Sequence, residues 1–140
     1  LLAPLVGRQA GLLLADTTRY AEKQLFVAQC GVDSARIAAI GGIEARGVDL
    51  WAERERVLDL LTEAGKNLLA VGRVQVLLLG CLSFLGLAHP LSERLGVPVV
   101  DPAVAPVALA ECLVRQGLKT SRKAYPAPPL RKRTWQSGQL

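Results

Sequence analysis

The sequence predicts an α/β fold, a four-stranded parallel sheet with helices on both faces. Three observations carry this. Short apolar runs alternate with longer amphipathic ones, strand then helix, four times along the chain. The apolar runs show no in–out alternation, as expected of strands covered on both sides. The composition suits a packed core: 51% of the 140 residues are hydrophobic and 21% are charged, which excludes a mostly disordered chain. Met is absent and aromatic residues make up only 4%, so Leu, Val and Ala must fill the interior.

The elements follow in order. "GLLLADT" (residues 11–17) reads as a buried strand that ends in polar residues. "TRYAEKQLFVAQCG" reads as a helix, with Thr17 or Thr18 as its N-cap and Gly31 as its stop. "ARIAAIGG" (residues 35–42) is a second strand closed by paired glycines. "WAERERVLDLLTEAGKNLLA" is the clearest helix, because Val57, Leu61, Ala64 and Leu68 form one stripe at helical period. "VQVLLLG" is the third strand, and a short helical stretch with Ser83 as its N-cap then runs to Gly96. "VPVV" is the fourth strand, entered through Pro98. "AVAPVALAECLVRQGL" is a last helix, apolar on most faces. No internal repeat at solenoid spacing is present.

This organisation puts one α/β domain at residues 8–102. The chain begins with Leu, and "LLAPLVG" has no basic residues before it and is too short for a signal peptide. Residues 1–7 therefore read as the remnant of a preceding element, and the chain as a candidate fragment. Residues 103–118 hold the last helix. Residues 119–140 form a basic, Pro-containing tail with six basic and no acidic residues, whereas the first 118 residues are near neutral. Such a tail could screen phosphates. It lacks aromatic interleaving and a folded basic face, so the solvated-tail reading is favoured and no nucleic-acid partner is expected.

"NLLAVGRVQVLLLGCLSFLGLA" approaches the length of a membrane helix. Arg73 and two glycines interrupt it, and its Val-rich centre suits a strand, so no membrane partner is expected. Three cysteines, at spacings too wide for a zinc knuckle, argue against a disulfide framework and a structural metal site. A reducing, cytoplasmic setting is the simplest inference.

Within "VQVLLLGCLSFLGLAHP", Cys81 ends the third strand at the sheet's ligand-binding end. Unpaired N–H groups and positive potential at a following helix start would favour a thiolate. Gly80 lets another backbone or a ligand come close. A buried, inert cysteine is an equally good reading of Cys81 from position alone. Cys30 falls in the last turn of its helix, where the dipole disfavours a thiolate. Cys112 reads as a small core residue. His89, the only histidine, reads as a surface cap. Asp16 and Asp101 each follow a strand, where either could orient a polar group or cap a helix. No Gly-x-Gly-x-x-Gly pattern and no phosphate loop are present.

The segment "VLLLGCLSFLGLAHPLSERLGVPVVDPAVAPVALAECLVRQGLKTSRKAYPAPP" resembles the C-terminal part of the aspartate/glutamate/hydantoin racemase superfamily, in its hydantoin and allantoin racemase branch. The likeness rests on the strand ending "LGC", on "LSERLGVPVVDP" and on "LVRQGLKTS" with "AYPAPP". "GLLLADTTR" resembles the family's strand and Thr-Thr turn.

The resemblance implies a flavodoxin-like half of a two-domain enzyme, with the active site between the halves and no metal or organic cofactor. One cysteine from each domain moves a proton at the stereogenic carbon, and Cys81 matches the cysteine of the second domain. The backbone N–H groups of Leu82 and Ser83, with Gly80, Thr17 and Thr18, would then contact the substrate's polar groups. Leu82-Ser83 replace the Thr-His usual in glutamate racemases, which turns the expected substrate from acidic amino acids towards hydantoin-like or allantoin-like ureides. The expected partners are that small molecule and a first domain on which the last helix packs, with a homo-oligomer as a further option. Two alternatives remain at this stage. One is a sibling arylmalonate decarboxylase or maleate isomerase type of enzyme using one cysteine. The other is an inactive binding module.

Overall fold

Four parallel strands run in the order β2-β1-β3-β4 in a computed structural model that describes residues 3–128. They are β1 (Ala10–Leu14), β2 (Ile37–Gly42), β3 (Val76–Leu79) and β4 (Val99–Val100). The helices are α1 (Ala3–Val6), α2 (Tyr20–Gln29), α3 (Arg54–Ala70), α4 (Ala88–Leu95) and α5 (Val104–Arg115). Strand and helix order follow the sequence expectation. Residues 1, 2 and 129–140, parts of the expected N-terminal remnant and basic tail, lie outside the described residues.

The central strands carry the burial. Every residue of β1 is buried, while β2 and β4 at the edges are half-buried throughout. Two clusters of buried side chains form on the sheet. In the larger, Leu13, Leu77 and Leu79 meet Val57, Leu58, Leu61 and Leu68 of α3 and Leu91 of α4. The predicted α3 stripe is therefore its core face, except that Ala64 is only half-buried. Full burial of each such Leu or Val contributes about 1.5–3 kcal/mol. The smaller cluster joins Ala3 of α1 to Ala10 and Val76, with Ile37, Leu78 and Val100 packed against it.

The cover is unequal. Neither α2 nor α5 has a fully buried residue. Leu25 and Phe26 of α2, and Val104, Val107 and Val114 of α5, are exposed. Cys112, expected in the core, is exposed as well. An apolar stripe marks a face that can be covered; on α5 only Ala105 and Leu109 are half-buried, and Val104, Val107 and Val114 are left uncovered by the described residues. No described helix is long and apolar enough to cross a membrane.

Candidate active site

β1 and β3 pair in register from Ala10 with Val76 to Leu13 with Leu79, so their carboxyl ends reach the same rim. Gly80 follows at once, and its N–H donates to the carbonyl of Leu13 at 2.7 Å. A Cβ on Gly80 would fall 2.8 Å from Leu14 Cδ2 and 3.0 Å from the Leu13 oxygen. The absent side chain thus serves the approach of β1, the backbone arm of the sequence expectation.

Cys81 comes next, half-buried, with extended backbone at φ −138 and ψ 134. It stands at the N-cap position of a single 3-10 turn, Leu82–Phe84. The expected longer helix is split, and α4 begins only at Ala88. Ser83 is inside the turn and is not an N-cap. The Phe84 N–H donates to the Cys81 carbonyl at 3.1 Å, and the Leu85 N–H to the Leu82 carbonyl at 3.0 Å. The first N–H groups of such a turn, here those of Leu82 and Ser83, have no partner within it. Phe84 is fully buried and pins the turn to the core, whereas Leu82 is 67% exposed.

Two residues from other elements hold this segment. Arg54, the first residue of α3, donates through Nη1 to the Ser83 carbonyl at 2.9 Å and through Nη2 to the Leu85 carbonyl. Its guanidinium lies 5.2 Å from the Trp51 ring centre, close enough for a cation–π contact. Asp101, just after β4, accepts from the Gly86 N–H at 2.8 Å through one oxygen. Its other oxygen accepts from the N–H groups of Ala103 at 2.8 Å and Val104 at 3.0 Å. Burial pushes the Asp101 carboxyl up. The N–H groups of Gly86, Val104 and Ala103, helped by the Arg54 charge, outweigh it and hold the group below its ordinary value. Gly86 has φ +81, a left-handed conformation that a side chain would strain.

The β1–β2 side of the rim is made of carboxylates and hydroxyls. Asp16, not Thr17 or Thr18, is the N-cap of a 3-10 turn, Thr17–Arg19, that leads into α2. One Asp16 oxygen accepts from the Thr18 N–H at 2.9 Å and from the Thr18 hydroxyl. The hydroxyl first, then the amide, keeps the Asp16 carboxyl below its ordinary value. Thr17 donates its hydroxyl to Glu44, just past β2. There the chains touch closely: the Ile43 N–H donates to the Leu14 carbonyl at 3.0 Å, and a Cβ on Gly42 would lie 2.2 Å from that oxygen. Asp16 thus resolves as a cap, while Asp101 accepts from the N–H groups that lead into α5 and orients the loop after Cys81.

The other sequence candidates stand apart. Cys30 is exposed at the end of α2, and Gly31 after it takes φ +70 and stops the helix as expected. Next to it, Val27, Gly31 and Val32 line a cavity of about 450 Å³ with Gly7 and Ala10, at the strand starts and opposite Cys81. Cys112 is in the third turn of α5, where its sulfur accepts from Gln116 Nε2 at 3.2 Å. His89 lies within the first turn of α4, 3.5 Å from Glu93. Among the described residues no group of three or more His, Cys, Asp or Glu is placed to hold a metal ion. Sequence reasoning missed Arg54 and Glu44. Neither belongs to a motif, and both reach partners 27 or more positions away.

The Asp/Glu/Hydantoin racemase family matches residues 4–110, a span that contains all four strands, the Thr17–Thr18 turn and the Cys81 loop. The chain belongs to this family, in its hydantoin/allantoin racemase branch. It is 38% identical over 84 residues to a hydantoin racemase of Paenarthrobacter aurescens, and 37% identical over 82 residues to one of Pseudomonas sp. (strain NS671). The crystal structure of allantoin racemase from Pseudomonas fluorescens superposes with a TM-score of 0.77 at 25% identity over 95% of this chain. Allantoin racemase from Klebsiella pneumoniae superposes with a TM-score of 0.71 at 27% identity over 99%. The chain spans little more than half of these solved relatives, 57% and 55%, and the matched stretches are 36% and 33% of the two hydantoin racemases.

Proposed function

We propose that Cys81 is one acid/base of a cofactor-independent racemase acting on hydantoin-like or allantoin-like compounds. The carrying observation is a half-buried thiol at the carboxyl end of a central strand, beside a turn whose first N–H groups are free of the turn's own bonding. Family membership supports the reaction class, and the relatives' substrates suggest the ureide. On this reading Cys81 Sγ takes or returns the proton on the stereogenic carbon. The N–H groups of Leu82 and Ser83 meet the carbonyl oxygen on which negative charge grows, and act most strongly at the transition state. Thr17 and Thr18, whose hydroxyl protons are engaged by Glu44 and Asp16, would offer their oxygen lone pairs to ring N–H groups.

Two-base racemisation needs a second thiol on the opposite face of the carbon. Cys30 and Cys112, the other two cysteines of this sequence, stand away from the rim, so that thiol would come from a further domain or from a second copy. One thiol still suffices to exchange the proton on its own face.

The test is deuterium incorporation from heavy water into a substituted hydantoin of one hand, followed by mass spectrometry and optical rotation. Cys81→Ala is expected to lose about 10²-fold or more, the scale of a positioned acid/base group. Exchange at the unmodified rate in that variant would remove Cys81 from the mechanism.

A further inference from the structure

We infer that Arg54 is a positioning residue that sets the Cys81 loop, an inference that rests on the proposed role of Cys81. Residues 82–87 have few bonds of their own. The N–H groups of Phe84, Leu85 and Leu87 donate back to the carbonyls of Cys81, Leu82 and Phe84, which leaves the carbonyls of Ser83 and Leu85 pointing out of the turn. Arg54 takes both with one guanidinium. A planar fork presents two fixed donor directions to the two carbonyls, whereas the rotatable ammonium of a lysine is not pre-organised to hold both. Drawing these carbonyls towards α3 also keeps their partial negative charge from turning towards the thiol.

The anchor is rigid. Arg54 opens α3, and Val57, Leu58 and Leu61, the next turns of that helix, are buried in the main core. The Trp51 ring confines the guanidinium from the side. A Cβ on Gly86 would be 3.6 Å from Arg54 Nη2, so the loop runs directly over the fork. Among the described residues Arg54 forms no ion pair. Arg94, by contrast, reaches across to α3 and bonds to Asp59 and Glu55 in the way a surface arginine ordinarily does. The side-chain hydrogen bonds of Arg54 thus go to backbone oxygen, and the backbone concerned is the one that follows Cys81.

The experiment compares the full chain with Arg54→Ala and Arg54→Lys by amide hydrogen exchange and by the hydantoin deuteration assay. In Arg54→Ala, exchange at the Leu85 and Leu87 amides should quicken about tenfold or more, while Leu61 and Leu68 in α3 keep their protection. The kcat should fall about tenfold or more with KM within about threefold, because the N–H groups lost from alignment act on the transition state. Arg54→Lys keeps the charge and guards against a variant that fails to fold; it should recover only part of either effect. Unchanged loop exchange in Arg54→Ala, full recovery in Arg54→Lys, or a loosened loop with unchanged kcat would each overturn the inference. If Cys81→Ala deuterates the substrate normally while Arg54→Ala still loosens the loop, the racemase reading fails and the grip of Arg54 on the loop stands.

Discussion

Replacing Asp101 by Asn keeps the shape of the side chain and removes one acceptor. In the native chain one carboxylate oxygen takes the Ala103 and Val104 N–H groups and the other takes Gly86. An Asn that keeps its oxygen on the two-donor side must aim its NH₂ at the Gly86 N–H. One charge-assisted bond is lost, at about 1.5–3 kcal/mol, and the other two weaken when the acceptor becomes neutral. Asp101 is only 8% exposed, so water cannot replace the partner easily. The expected destabilisation is about 2–4 kcal/mol, a drop in Tm of roughly 6–20 °C for a domain of this size. Thermal unfolding followed by far-ultraviolet circular dichroism measures it. The pH dependence gives a second check. Because the folded carboxyl is held below its ordinary value, its contribution is complete above the usual carboxylate range. It is lost as pH falls from about 4 through the depressed folded value. The gap between wild type and Asp101→Asn should therefore close on acidification. A Tm change under about 2 °C at neutral pH, or a gap that stays constant down to low pH, would refute the assignment of Asp101 as a three-way acceptor.

Two glycine substitutions should separate backbone from side-chain crowding in denaturant unfolding. Gly42→Ala puts a Cβ 2.2 Å from the Leu14 carbonyl oxygen, which must part β1 from β2 and should cost about 3 kcal/mol. Gly65→Ala meets Leu95 Cδ1 at 2.5 Å, the end of a half-buried side chain that can turn away. The gain of about 1 kcal/mol in helix propensity offsets that shift, so its midpoint should stay close to wild type. Phe84→Ala empties the pocket that pins the Cys81 turn and should lose about 3–5 kcal/mol in the same measurement.

The strands and α3 were legible because their signal is local. A short apolar run without alternation, bounded by glycines or polar residues, fits a covered strand, and Val57, Leu61 and Leu68 repeat at the helical period whatever lies around them. Gly31 marks a stop because its conformation is a property of one residue. The failures are equally physical. Thr17, Thr18 and Ser83 can all cap helices, and the choice among them and Asp16 depends on where the strand releases the chain. Cys112 looked internal because α5 is apolar on most faces, but periodicity identifies a stripe and not its cover. Arg54 and Glu44 were invisible as site residues, since an arginine that opens a helix carries no sign of which carbonyls it will meet. The Cys81 position itself was readable from a single feature, the abrupt Gly-Cys end of an apolar run.

The rim divides into two halves with different mechanical character, and on the proposed reading this division matches what the chemistry requires. Around β3 and β4 the chain is held by backbone and by buried groups. Phe84 anchors the turn from below, Arg54 grips two carbonyls from α3, and Asp101 ties Gly86 to the start of α5. Proton transfer needs this, because a displacement of about 1 Å between the base and the reacting carbon can cost 10²-fold. Around β1 and β2 the polar groups satisfy one another instead, Thr17 with Glu44 and Thr18 with Asp16, at exposed or half-exposed positions. Hydroxyls in that state can turn to a new partner without unmaking the sheet beneath them. Substitutions on the β3–β4 half should therefore act on turnover, and those at Thr17, Thr18 and Glu44 on which ureide is accepted.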